Sequence, residues 1–198
     1  MGRIVEAGRR PMESRFDGRD EGPREEQVAL LAFRQGDISA FETLFRLHRR
    51  AVYGWVLRIV RNPATAEEVT VDAFWRIFRA HARFDPARGF EAWARRIATH
   101  AAIDFLRKRR PETELPAELP APSSPDPAIT EEIRRKTALA FGRLPPTLRA
   151  AAALAVIEER PHKEVAATLG ITVAAVKLRV FRALRILRKD LAQQGITP

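Results

Sequence analysis

The chain has 198 residues, no cysteine, and 35 Lys+Arg against 25 Asp+Glu, for a formal charge of +10 and a pI of about 11.1. The lack of cysteine excludes disulfides and thiolate-bound metals, and no run of about 18 apolar residues is present to form a transmembrane span. The basic balance favours a polyanionic partner, nucleic acid before membrane, and an N-terminus without an apolar core does not read as a secretory signal, so the cytoplasm is the expected home.

Charge is unevenly spread. Residues 1–110 carry a net +7, residues 111–132 hold six acids and no Lys or Arg, and residues 133–198 carry a net +9. Two basic blocks around an acidic one suggest two domains and a connector.

Residues 1–24 are rich in Gly, Arg, Glu and Asp and read as a disordered tail. A helix is predicted from near Arg24 to Arg34, with Val28, Leu31 and Ala32 inward. Gly36 breaks it, and Asp37 or Ser39 caps the next. From Ser39 to Arg61, Phe41, Leu44, Phe45, His48, Val52, Trp55, Val56 and Ile59 recur at helical spacing. His48 reads as a half-buried core histidine, because no second metal ligand stands near it in sequence. Asn62-Pro63 ends this helix.

The next helix, Ala64 to Ala80, has Thr65 as its predicted cap and Glu67 and Glu68 where the helix dipole favours acids. It has two apolar stripes. One is Ala66, Val69, Ala73, Ile77 and Ala80. The other is Val71, Phe74, Trp75 and Phe78. Such a helix is either central in its bundle or carries a binding surface. A loop, His81 to Gly89, leads to a helix from Phe90 to Arg110. Phe90, Ala94, Ile97, Ala98, Ala101 and Phe105 are placed inward, and Arg96, His100, Ile103 and Arg107 on another face. The closing run Arg107-Lys108-Arg109-Arg110 exceeds what capping a helix C-terminus requires, which favours phosphate contact. Trp93 suits either the core or an unstacked base, whereas Phe90 suits the core.

Six prolines in residues 111–128 exclude a helix there, leaving an extended acidic linker. Ile129 to Phe141 and Leu148 to Glu159 are predicted helices, with Thr147 as the cap of the second. Arg160 to Leu191 then reads as a helix-turn-helix. Val165, Ala166 and Leu169 form the face of its first helix, Gly170 takes the positive φ of the turn, and Thr172 caps the second. Val176, Val180, Ala183, Leu184, Leu187 and Leu191 form one stripe of that second helix. Ala174, Leu178, Phe181, Arg182 and Arg185 lie outward. No strand or repeat is predicted, so the expected fold is all-α with two small helical domains.

Two separated blocks carry a family likeness. The marks are the AEE–DAF–F run from Ala66 to Phe78, then FDPARGFEAWARRIA, AIDFLRKRR, LPPTLR and TLGITVAAVKLR. Over residues 37–110 and 133–191 the chain resembles the second and fourth domains of the extracytoplasmic-function (ECF) subfamily of sigma-70 factors. With the tail at 1–24 and the flexible linker at 111–128 read from composition, the resemblance implies a second sigma domain at 25–110 and a fourth sigma domain at 129–198. It implies a subunit that joins core RNA polymerase and directs it to promoter DNA, with an anti-sigma factor as a further partner, and without cofactor, metal or membrane insertion. On the polymerase-binding helix it points to Glu67, Glu68, Val71, Asp72, Phe74, Trp75 and Phe78. For recognition and melting of the −10 element it points to Phe84, Trp93, Arg95, Arg96 and His100, then Arg107, Lys108, Arg109 and Arg110. For the −35 element it points to Arg149, Thr172, Ala174, Ala175 and Lys177, then Leu178, Arg179, Arg182 and Arg185. Four departures stand out: Val71 where Gln is common, Ala174-Ala175 where Gly-Thr is common, Leu178 where Ser is common, and Arg160-Pro161-His162-Lys163, which is more basic and less aromatic than usual. The alternative is a helix-turn-helix regulator that acts without polymerase. An enzyme is disfavoured, since Pro161 interrupts the one Glu-x-x-His spacing, Glu159 to His162, and no nucleophile constellation or Gly-rich phosphate loop is present.

Overall fold

The computed structural model describes residues 21–86, 89–108 and 127–196, all of it helix, turn and connecting loop. Four helices form an N-terminal bundle: α1 (Glu21–Arg34), α2 (Ile38–Val60), α3 (Pro63–Arg79) and α4 (Phe90–Lys108). Four more form a C-terminal bundle: α5 (Pro127–Gly142), α6 (Pro146–Ala152), α7 (His162–Leu169) and α8 (Val173–Gln193). The expected linker falls almost wholly outside the described residues, as does most of the N-terminal tail. Residues 21–24 of that tail are the first turn of α1.

Side-chain caps set several helix starts. Asp37 accepts from the Ala40 N–H at 2.7 Å and begins α2. Asn62, rather than Thr65, begins α3: its Oδ1 accepts from the Thr65 N–H at 2.9 Å, and Pro63 takes the first helical position, where no N–H is needed. Pro146 does the same for α6, in place of the expected Thr147 cap. Gly170, at φ +65°, closes α7 in the left-handed conformation that a Cβ would penalise.

The N-terminal core is aromatic. Phe33 is fully buried, with ring centroids of Phe41, Phe84, Phe90 and Trp93 all between 6.0 and 6.3 Å from its own. It pins α1 onto α2, the loop and α4. This corrects the phase expected for α1. Ala29 and Phe33 face the core, whereas Val28 and Leu31 are exposed. His48 is half-buried, its ring 4.7 Å from that of Phe90 and its Nε2 3.0 Å from Glu26 Oε1, as expected of a core histidine. In the C-terminal bundle, α6 runs into a wide π turn at Ala153–Ile157, and Glu159 at φ +51° then reverses the chain toward α7. Buried alanines dominate here, Ala150 through Ala153, and let the backbones approach closely.

The buried core runs continuously from one bundle into the other. Helix α4 packs on both α6 and α7, and the end of α2 meets α6.

Candidate functional surfaces

Helix α3 presents a mixed apolar and acidic stripe. Its core side is filled by Ala66, Val69, Ala73 and Ile77. On the opposite side Val71 and Trp75 are exposed, Trp75 to 56%, and Glu67, Glu68 and Asp72 surround them. Phe78 is half-buried, 4.9 Å from the Phe41 ring. Phe74 is a correction: it is 2% exposed, 4.6 Å from the Phe45 ring, and belongs to the core instead of the outer stripe. Asp72 is held by Arg76 at 2.9 Å, and Arg76 also reaches Asp104 at 2.8 Å, which ties α3 to α4.

Helix α4 is basic on one side. Arg96, Arg107 and Lys108 are exposed, and His100 is half-buried, its Nδ1 2.8 Å from the Arg96 carbonyl oxygen. Arg109 and Arg110 lie outside the described residues. Ile103, expected on this face, is buried. Phe84 is also a correction, since it is 2% exposed and packs against Trp93 at 5.1 Å. Trp93 is half-buried in the same cluster. The Phe84 ring is not free to accept an unstacked base without rearrangement of the loop.

Arg95 departs furthest from the expected DNA contact. Its guanidinium lies 4.4 Å over the Trp55 ring, pairs with Glu91, and reaches Glu158 of the C-terminal bundle at 3.5 Å. Burial and the neighbouring Arg160 hold its pKa below the usual arginine range. Arg149, expected at the −35 element, is buried as well. It donates to the carbonyls of Gly142, Leu144 (3.1 Å) and, across the bundles, Ile59 (3.4 Å). Its pKa is pushed down to about 10, first by burial and then by Arg61. A cation at the C-terminal end of α2 also complements that helix's dipole.

The helix-turn-helix forms as expected. Val176 is fully buried at the helix crossing, Ala166 is buried opposite, and Thr172 accepts from the Ala175 N–H at 3.2 Å. Ala174, Lys177, Leu178, Phe181, Arg182 and Arg185 are exposed on α8, while Ala175 and Arg179 are half-buried. Leu178 is 48% exposed and Phe181 59%, two large apolar side chains among the cations of this surface.

Glu158 is the residue that sequence reasoning missed. Its side chain is 8% exposed, within 3.7 Å of Arg58 and 3.5 Å of Arg95, and 3.9 Å from Arg160. The sequence signal was a charged Glu158-Glu159-Arg160 triplet closing an apolar helix. Its partners lie too far away along the chain for spacing to reveal them.

Known proteins share both helical domains. Residues 44–112 match the model of Sigma-70 region 2, and residues 134–187 match that of Sigma-70, region 4. The chain is 35% identical to the RNA polymerase sigma factor CarQ of Myxococcus xanthus, over 81% of this chain and 94% of that one. It is 33% identical to the ECF RNA polymerase sigma factor SigE of Mycolicibacterium smegmatis, over 81% of this chain and 65% of the relative. The solved structure of CnrH in complex with the cytosolic domain of CnrY superposes with a TM-score of 0.59 at 27% identity, covering 85% of this chain and 98% of CnrH. The chain belongs to the extracytoplasmic-function group of the sigma-70 family and is an RNA polymerase sigma factor.

Proposed function

We propose that α3 docks on the clamp helices of core RNA polymerase, that α4 reads and opens the −10 element, and that α8 enters the major groove at the −35 element. The observation that carries the first assignment is the pair Val71 and Trp75, exposed on a helix whose other face already fills the core. Large exposed apolar side chains ringed by acids suit a partner surface with an apolar centre and a basic rim. The basic side of α4 and the outward side of α8 supply the phosphate-contacting charge that holds DNA in register.

The boundaries 25–110 and 129–198 define two reading units, each a weak binder alone. Polymerase fixes their separation and makes the two contacts bivalent, which raises overall affinity without new contacts. In this reading the protein is a non-catalytic initiation factor that works in the cytoplasm and is held inactive by an anti-sigma factor. The exposed Leu178 and Phe181 are candidate contacts for such an inhibitor. A regulator acting without polymerase would leave the α3 stripe unexplained.

The test is Trp75→Ala. An exposed aromatic anchor contributes about 2 kcal/mol or more at an interface and little to the fold. Affinity for core polymerase should fall about tenfold or more, with the melting temperature nearly unchanged. A variant that unfolds in step with its loss of binding would return Trp75 to the core and remove the assignment.

A further inference from the structure

Arg61 follows the last turn of α2 with φ +64°, a left-handed backbone that glycine or asparagine usually takes. Other residues held in this region cluster at ligand clamps and switch segments. The guanidinium of Arg61 stands over the Phe141 ring of α5, 5.6 Å from its centroid. Arg149 of α6 is near enough for the charge of Arg61 to lower its pKa. Arg149 is 8% exposed and Arg61 half-buried. The two cations meet where the end of α2, the end of α5 and α6 come together. Their surroundings do not neutralise them. Among the described residues neither forms an ion pair, and burial lowers both pKa values with no acid opposing it. Arg149 donates its Nη hydrogens to carbonyls of Ile59, Gly142 and Leu144, around the ends of α2 and α5. A helix end carries about half a negative charge, so two ends offset about one of the two positive charges. The Nε atoms of Arg61 and Arg149 are both buried without an acceptor. Buried donors are nearly always paired, so two orphan donors on neighbouring cations call for an acceptor. Water would meet the hydrogen bonds and leave the charge, whereas an oxyanion meets both.

We propose that Arg61 and Arg149 form a binding site for a small phosphate, either the free ion or the end group of a phosphomonoester. A phosphomonoester carries about 1.5–2 negative charges near neutral pH and three acceptor oxygens. That matches one uncompensated positive charge and two unused Nε donors. Guanidinium groups suit phosphate through their planar fork of N–H donors. Entry is from the half-buried Arg61, with Arg149 behind it. Arg149 lies too deep for the phosphodiester backbone of a duplex, and the site is independent of the assignments of α3, α4 and α8. Because Arg61 and Arg149 belong to different bundles, a phosphate bound between them also stabilises the folded chain by linkage.

The test uses the full chain in chloride at constant ionic strength. By calorimetry, inorganic phosphate should bind a single saturable site, and it should raise the unfolding midpoint in step with that saturation. Arg61→Gly suits the left-handed turn, so the fold is kept, and circular dichroism checks it. This variant should bind phosphate about tenfold more weakly or worse, the loss expected for one charge-assisted contact. Arg50→Gln, at an exposed position of α2 away from Phe141, removes the same charge and should bind phosphate as the wild type does. Adenosine monophosphate separates the two sources. Affinity equal to that of inorganic phosphate, or higher, assigns a phosphomonoester, and lower affinity assigns the free ion. Displacement of bound phosphate by a random duplex of about 20 base pairs would make the pair a contact for the DNA backbone and overturn the proposal. Phosphate titrations that never saturate, or that are equal in Arg61→Gly and the wild type, would mean an adventitious ion only and overturn it as well.

Discussion

Phe74 and Trp75 are neighbours in sequence with opposite surroundings, one in the aromatic core and one in solvent. Helical spacing places both in one stripe, because at 100° per residue adjacent positions share a broad face. Only packing against α2, through Phe41 and Phe45, decides where the core ends. The same ambiguity hid the fate of Phe84, which a loop sequence cannot reveal as core. Arg95 and Arg149 were legible as cations but not as buried ones, since their partners come from other helices. Arg149 yields a prediction at this scale. It donates to three carbonyls, and each hydrogen bond to a charged group contributes about 1.5–3 kcal/mol. Desolvation takes back part of that sum, so Arg149→Met should cost about 2–3 kcal/mol by denaturant unfolding. A full loss of −35 binding with unchanged stability would restore Arg149 as a DNA contact. Leu178 yields another. An exposed leucine can meet a thymine methyl in the major groove, a base contact worth about 1 kcal/mol or somewhat more. Leu178→Ser should shift preference at one −35 position while binding to unrelated DNA stays constant, because no charge is lost. Identical selection profiles for the two proteins would take Leu178 out of the readout.

At the scale of elements, the helices were legible nearly end to end. Gly36, Asn62-Pro63 and Gly170 mark breaks that the structure keeps. Caps were less so: Asn62 reads as a stop for α2, yet its side chain starts α3. The turn of α1 was misjudged because Val28 and Leu31 are apolar and exposed, and periodicity cannot tell a core stripe from a surface one. The π turn and the left-handed Glu159 had no signature at all, and they place Glu158 at the domain contact. For α4 the open question is whether its basic end holds phosphates. Arg107 is exposed. Arg107→Gln should flatten the salt dependence of promoter-complex formation by somewhat under one unit of logarithmic slope, with helicity retained. An unchanged slope would leave Arg107 as a cap that complements the helix dipole.

For the whole molecule, composition and charge pointed to a two-domain nucleic-acid binder, and the family likeness supplied the polymerase. What neither supplied was the packing of one domain on the other, which joins the apolar residues of one continuous core and charged side chains distant in sequence. In the proposed reading, polymerase holds both domains on their promoter elements at once and makes the two contacts bivalent. The most direct test is transcription in vitro by core polymerase and this protein on a library of randomised promoters. The account predicts transcripts from templates that share two sequence elements at a fixed spacing, dependence on both proteins, and a large loss with Trp75→Ala. Selection of the same DNA by the protein alone, with no transcripts when core polymerase is added, would contradict it.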